Sequence, residues 1–363
     1  MDEGDMIKQL LRIVAGKSNC FSCVPASEEW TALFFAAVRQ GIAAYLFSGV
    51  ERLPSDQRPP LECLMDWAAI ADYVEQRNRK LNGLCVKVHD AFKREGAKVC
   101  LLKGQGMGMC YPHPLRRDFG DIDIWMAGGK QHVETFVGSK FKEASVGDGS
   151  HHVSFVMDDV DVEVHHTPAT LYNPLHNRRL QHFFEAEEAA QWDTMVQLSG
   201  QSEKVCVPTM KFNLVYILVH LFHHWAFEGC GLKQLIDYSW LLATTELDDD
   251  VRKTVVKQLK ALGLGNFLAA VMAVLEDIGV DACHLLCAPN RQLGKALWQD
   301  VLYTGLVTAE DLSTGKFAQE NKRSRFVRRL KRAIRVLPLA PSELPWMLAR
   351  NVWVWVRWNA FKN

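Results

Sequence analysis

The chain of 363 residues carries 42 basic and 42 acidic side chains, a formal net charge of zero, and 48% apolar residues. That length and apolar content fill two or three cores of ordinary size, which excludes a disordered or fibrous chain. No run of about 18 apolar residues occurs, and residues 1–8 are acidic and lead into no apolar stretch. Neither a membrane span nor a secretory signal is therefore expected, and a cytoplasmic location is. Ten cysteines are scattered, and neither Cys20 with Cys23 nor Cys283 with Cys287 has a second pair at zinc-ribbon spacing. Reduced, mostly buried thiols are expected.

Residues up to about 95 read as helices. Trp30, Leu33, Phe34, Ala37, Ile42 and Leu46 recur at helical spacing between Glu28 and Val50, and a 3.6-residue period continues from Leu61 to Phe92 after Pro54, Pro59 and Pro60. The period then changes to that of strands: Lys98 to Lys103, Asp121 to Met126, and a hairpin of His152 to Met157 and Val160 to His166 around Asp158 and Asp159. From Pro208 the helical period returns, with Lys211 to Phe227, Leu232 to Thr245, Asp249 to Leu262 and Asn266 to Ile278 as successive helices. The expected fold is α+β: a small mixed sheet with helices over residues 96–210, an N-terminal helical region over 1–95, and a C-terminal helical bundle with a basic, Trp-rich tail over 211–363.

The chemistry concentrates in the strands. Asp121 and Asp123 sit at i and i+2 among apolar neighbours, so on a strand both carboxylates share one face, about 6.7 Å apart at Cα. Two such carboxylates away from water repel one another unless a cation joins them. Asp161, Glu163 and His165 share a face of a later strand and offer the third oxygen ligand that a pair of Mg²⁺ ions wants. Lys103, Gly104 and the glycines after them could cradle a phosphate. Two aspartates on a solvated edge would need no metal, but Lys103 and Gly104 before them and Glu163 and His165 after them weigh for catalysis.

Leu101, Leu102, Lys103 and Gly104, then Tyr111 and Pro112, then Arg117, Gly120, Asp121 and Asp123, and later Glu163 and His165, resemble the uncharacterised nucleotidyltransferase family of the DNA polymerase β superfamily. His220, His223 and His224 followed by Gly231 to Asp237 resemble its His-rich helix and following aspartate. The resemblance spans about residues 30–358, with specific motifs only in 101–125 and 160–166. It implies Mg²⁺-dependent transfer of a nucleoside monophosphate from a nucleoside triphosphate to a hydroxyl on a small molecule, sugar or protein, with release of pyrophosphate. Asp121, Asp123 and Glu163 would be catalytic and hold two Mg²⁺ ions, and Lys103, Gly104, Arg117 and His165 would meet the nucleotide and its phosphates. The wider superfamily places Gly-Ser before its aspartates, whereas Gly104 and Gln105 stand here, so Lys103 and Arg117 are candidates for the missing serine's work. Glu163 is preferred over Asp161 on the family pattern, and His165 is expected to brace Glu163 through its ring N–H. His220 and His224, one helical turn apart, are expected to form a buried hydrogen-bonded pair, and Asp237 is left without an assigned role.

The tail differs from the body. From Lys322 onward eleven basic residues stand against the single Glu343, which leaves 31 basic and 41 acidic residues before it. Residues 322–337 read as a basic amphipathic helix with an apolar stripe of Phe326, Leu330, Ile334 and Leu337, followed by Trp346, Trp353, Trp355 and Trp358. It could lie on an anionic membrane through residues 322–358, grip a nucleic-acid backbone, or fold back on the acidic body with its stripe inward and its arginines outward. An acidic body without a basic groove argues against a long nucleic acid as substrate. The alternative to an enzyme is a catalytically silent nucleotide-binding or interaction module that works through the bundle and tail.

Overall fold

A computed structural model of the protein describes residues 2–141, 144–146, 151–227, 231–305, 330, 332–334, 336–350 and 352. The fold is α+β, as the change of period along the sequence predicts. Helices α1 (Glu3–Val14), α2 (Ser27–Arg39), α3 (Ala43–Val50) and α4 (Leu61–Arg94) precede the sheet. The apolar run from Glu28 to Val50 is two helices, because the chain turns at Gly41 with φ +65°, a conformation that glycine adopts without a Cβ penalty.

The sheet has five strands in the order β1 (Val99–Leu102), β2 (Ile122–Met126), β5 (Val160–His165), β4 (His152–Met157), β3 (Ser145–Val146). β2 and β5 are parallel and the other pairs antiparallel. Asp158 and Asp159, at φ +49° and +61°, form the tight hairpin turn between β4 and β5. Helix α5 (Gly104–Gly108) follows β1, α6 (Gly129–Lys140) follows β2, and α7 (Pro174–Glu187) follows β5. A second ribbon, β6 (Met195–Gln197) with β7 (Lys204–Cys206), leads into α8 (Met210–Phe227), α9 (Leu232–Thr244), α10 (Asp249–Ala261), α11 (Gly265–Asp277) and α12 (Arg291–Gly305).

Alternation along the strands divides the sheet into two faces. Val99, Leu101, Ile122, Ile124, Met126, Val162 and Val164 pack with Leu84, Val88 and Phe92 of α4 and with Val133 and Val137 of α6. The other face turns Cys100, Leu102 and Trp125 toward the C-terminal helices, in an apolar core that also takes in Leu10, Trp30 and Leu46 from the N-terminal helices. Trp125 stacks on Phe212 of α8, ring centroids 5.4 Å apart. That contact sets α8 over the sheet face that carries the acidic side chains.

The tail is held by its one acid. Glu343, fully buried, accepts the backbone N–H groups of Tyr172 and Asn173 at 2.9 and 3.0 Å and meets His176 Nδ1 at 2.5 Å, which ties the tail to the start of α7. Of the expected amphipathic helix, residues 322–329 and the tryptophans at 353, 355 and 358 lie outside the described residues. Where the tail is described, the expected inward stripe is reversed: Ile334 is 63% exposed, while Arg332 turns inward to Asp300, 2.8 Å away, and to the carbonyls of Trp225 and Ala226. Ala333 and Val336 take the buried positions instead. A buried carboxylate and two open helix-end carbonyls hold a guanidinium more firmly than solvent does, which fixes the helix in this rotation. Among the described residues no helix is long and apolar enough to cross a membrane.

Candidate active site

Strand register assembles the site. The parallel pairing sets Asp123 directly beside Glu163 and Trp125 beside His165, and the antiparallel pairing of β1 sets Leu102 opposite Asp123. Lys103, one residue beyond β1, therefore ends beside the carboxylate. Its Nζ lies 2.8 Å from Asp123 Oδ1, and His165 Nε2 lies 2.9 Å from the same oxygen. His165 Nε2 and His152 Nδ1 each lie 3.5 Å from Glu163 Oε2. Asp121 precedes β2 and lines the same cleft, whereas Asp161 is exposed and is not among the residues that line it. Asp123, Glu163 and His165 form one of the groups whose donor atoms all come within 4.8 Å.

The backbone at Lys103 is unusual. Its φ of +47° with ψ −140° lies outside the region that side-chain-bearing residues favour, at a cost of about 1–3 kcal/mol. Gly104 follows at φ +39°, and a Cβ there would meet nothing nearer than the Asp121 carbonyl oxygen at 3.9 Å, so conformation rather than crowding asks for glycine there. The turn brings the Lys103 ammonium onto Asp123 where a regular strand would carry it past.

The charges are uneven. Burial opposes ionisation of Asp123, yet Lys103 and His165 together hold its carboxyl well below the usual range. Asp121 behaves in the opposite way: burial, and then the repulsion of Asp123, raise it above an ordinary aspartate. The hydrogen bond from His165 keeps Glu163 low against its burial. Burial works against the charged form of His165, and the carboxylates of Asp123 and Glu163 outweigh it and raise the imidazole. Three carboxylates gathered in one cleft, one of them raised by burial and then by its neighbour Asp123, are a donor set that fits a hard, oxygen-seeking divalent cation.

These groups line a cleft of about 500 Å³ between the sheet and helices α8 and α9, a size suited to a small-molecule site. Lys103, Gly104, Arg117, Asp121, Asp123, Glu163 and His165 all reach it, so every predicted site residue is brought to one place. Arg117 is already engaged: its Nε and Nη2 donate to the two oxygens of Asp237 at 2.6 and 2.7 Å, and Tyr111 adds a hydroxyl donor at 2.6 Å. Asp237 thus has a partner that the sequence left open. His220 and His224 stand edge to face, ring centroids 4.3 Å apart, and His220 is kept neutral by burial.

Sequence reasoning missed Lys233. It lines the cleft, and burial followed by the charge of Arg117 lowers its pKa. The signal was present in part, because Lys233 and Asp237 stand one helical turn apart in the stretch already matched to the family. His223 of the His-rich helix lines the cleft too, and so do His151 and His152, which had not been singled out as site residues.

The model of the uncharacterised nucleotidyltransferase family matches residues 26–278, more than half of the chain. Among curated proteins none matches. Among solved structures, an antigenic nucleotidyltransferase-like protein from Paracoccidioides brasiliensis is similar at 12% identity and a TM-score of 0.36. The match covers 55% of this chain and 93% of that one.

Proposed function

The chain belongs to the uncharacterised nucleotidyltransferase family, and from that premise we propose that it moves a nucleoside monophosphate from a nucleoside triphosphate to a hydroxyl-bearing acceptor. The acceptor oxygen bonds to the α-phosphorus, the bond from that phosphorus to the β-phosphate oxygen breaks, and pyrophosphate leaves with the electron pair. The observation that carries the proposal is the meeting of Asp121, Asp123 and Glu163 with Lys103 in one cleft.

Asp121, Asp123 and Glu163 would hold Mg²⁺, which when bound offsets triphosphate charge and favours the acceptor alkoxide. Glu163, kept ionised by His165, is the group to take the acceptor proton. Lys103 and Lys233 supply positive charge for the phosphates, and Gly104 lets the backbone approach them closely. Arg117 would offer the phosphates Nη1, the terminal nitrogen that Asp237 does not take, with Asp237 fixing the plane of its guanidinium. Helices α8 and α9 close the cleft on the acceptor side, and its volume favours an acceptor of modest size: a small molecule, a sugar or a single protein side chain. A cytoplasmic setting suits a reaction that draws on nucleoside triphosphates.

The test is release of pyrophosphate from each of the four triphosphates in the presence of Mg²⁺ and pooled hydroxyl acceptors. Asp123→Asn should lower the rate by about 100-fold or more, the scale of losing a charge-stabilising group. An Asp123→Asn protein as active as wild type would refute the proposal. One observation favours a second reading, a nucleotide-binding module without turnover: Lys103 already neutralises Asp123. Saturable nucleotide binding with no pyrophosphate from any mixture would select that reading.

A further inference from the structure

A second donor set lies against the first. His152 opens β4, His165 ends β5, and the antiparallel register sets them directly opposite one another. The ladder continues with the His166 N–H donating to the His151 carbonyl at 3.1 Å. Consecutive residues of a regular strand point to opposite faces, but His151 lies in the bend before β4, so both imidazoles gather on His165. The three ring centroids are 5.2, 5.0 and 5.2 Å apart, and one donor nitrogen from each lies within 4.8 Å of the other two.

His165 carries a second mark of a ligand. Its Nε2 is held by Asp123, while Nδ1 is buried and has no hydrogen-bond partner among the described residues. An imidazole oriented by a carboxylate through one nitrogen and left unmatched at the other is the usual state of a metal-binding histidine. A buried ring nitrogen left unmatched destabilises the fold, which asks for a compensating partner.

We propose that His151, His152 and His165 form a site for a borderline divalent transition-metal ion of the Zn²⁺ class, distinct in ligand chemistry from the carboxylates that suit Mg²⁺. Imidazole nitrogens select zinc, cobalt, nickel or copper over magnesium, which prefers oxygen. Tetrahedral coordination at 2.0–2.1 Å puts ligand nitrogens about 3.4 Å apart, so small rotations of the side chains close the present spacing. Three neutral ligands leave the ion its full charge and a fourth position for water or an anionic oxygen of whatever the cleft binds. His165 belongs to both donor sets, so an ion here also fixes the ring that orders Asp123 and Glu163.

The test is visible absorption of the full-length apoprotein titrated with Co²⁺, which reports nitrogen coordination directly. Wild type should bind one equivalent that Zn²⁺ displaces and excess Mg²⁺ does not. His151→Gln with His152→Gln should weaken cobalt binding at least tenfold, with an unchanged circular dichroism spectrum as the check on folding. His151→Cys should keep the ion and add a sulfur-to-cobalt charge-transfer band, which a merely structural role for His151 would not produce. Wild type that takes up no cobalt, or a double variant that binds it equally well, would overturn the site. Stabilisation of the same samples by Mg²⁺ with a triphosphate reports the carboxylates separately, so failure of the transfer proposal leaves the cobalt result readable.

Discussion

Arg117 shows how much a residue's role depends on its partner. Read along the chain, an arginine just before two aspartates belongs to phosphates; folded, it gives two nitrogens to Asp237 of α9 in a buried bidentate pair. Burial opposes its charge, and Asp237 restores and strengthens it. The pair thus joins the loop before β2 to the helix that forms the far wall of the cleft. Asp237→Asn leaves the guanidinium buried without its counter-charge, and a loss of about 3–5 kcal/mol of unfolding free energy is expected. Urea denaturation checks it, and an unchanged midpoint would show that the pair does not hold the wall. Asp121, Asp123, Glu163 and His165 were legible because i and i+2 on a strand share a face whatever surrounds it. Lys233 was not, because only the packing of α9 against the sheet brings it to the same cleft.

At the scale of elements, the strands that form the site were read within a residue or two of their ends, since each is a short apolar run closed by glycine or a charged turn. β3, β6 and β7 have two or three residues each and too few alternations to show a period. α7 and α12 were not singled out: α7 buries little beyond Leu180 and Phe184, so its apolar stripe is faint. One contact between elements carries a titration. His89 of α4 accepts the backbone N–H of Cys206 in β7 through Nε2 at 3.2 Å, which needs a neutral ring, and burial lowers its pKa. Below the unfolded-chain value of about 6.5 the unfolded state takes up a proton that the folded state refuses, so this group's contribution is full above that pH and declines as pH falls. The decline is at most about 1.4 kcal/mol per pH unit. Unfolding midpoints between pH 7.5 and 5.5 should fall less steeply in His89→Gln than in wild type; parallel slopes would rule His89 out as the source.

Across the whole molecule, one apolar core joins α1–α3 to the C-terminal helices and to one face of the sheet, and the site sits where that core meets the polar end of the face. The helical periods announced the elements at both ends of the chain, yet nothing in a period says that they pack on each other. The tail shows the same limit. Its amphipathic pattern predicts a buried stripe, but Arg332 finds Asp300 and Glu343 finds the start of α7, and these polar anchors set the rotation of the segment. The proposed activity requires the cleft to bind a nucleoside triphosphate through a divalent cation on Asp121 and Asp123. Thermal unfolding with each of the four triphosphates, with and without Mg²⁺, tests it most directly, because a ligand at about 100 times its dissociation constant adds about 2.7 kcal/mol. At least one triphosphate should raise the midpoint of wild type only when Mg²⁺ is present, and should leave the Asp121→Ala, Asp123→Ala double variant unmoved. No response to any triphosphate, or an equal response in the double variant, would contradict the proposal.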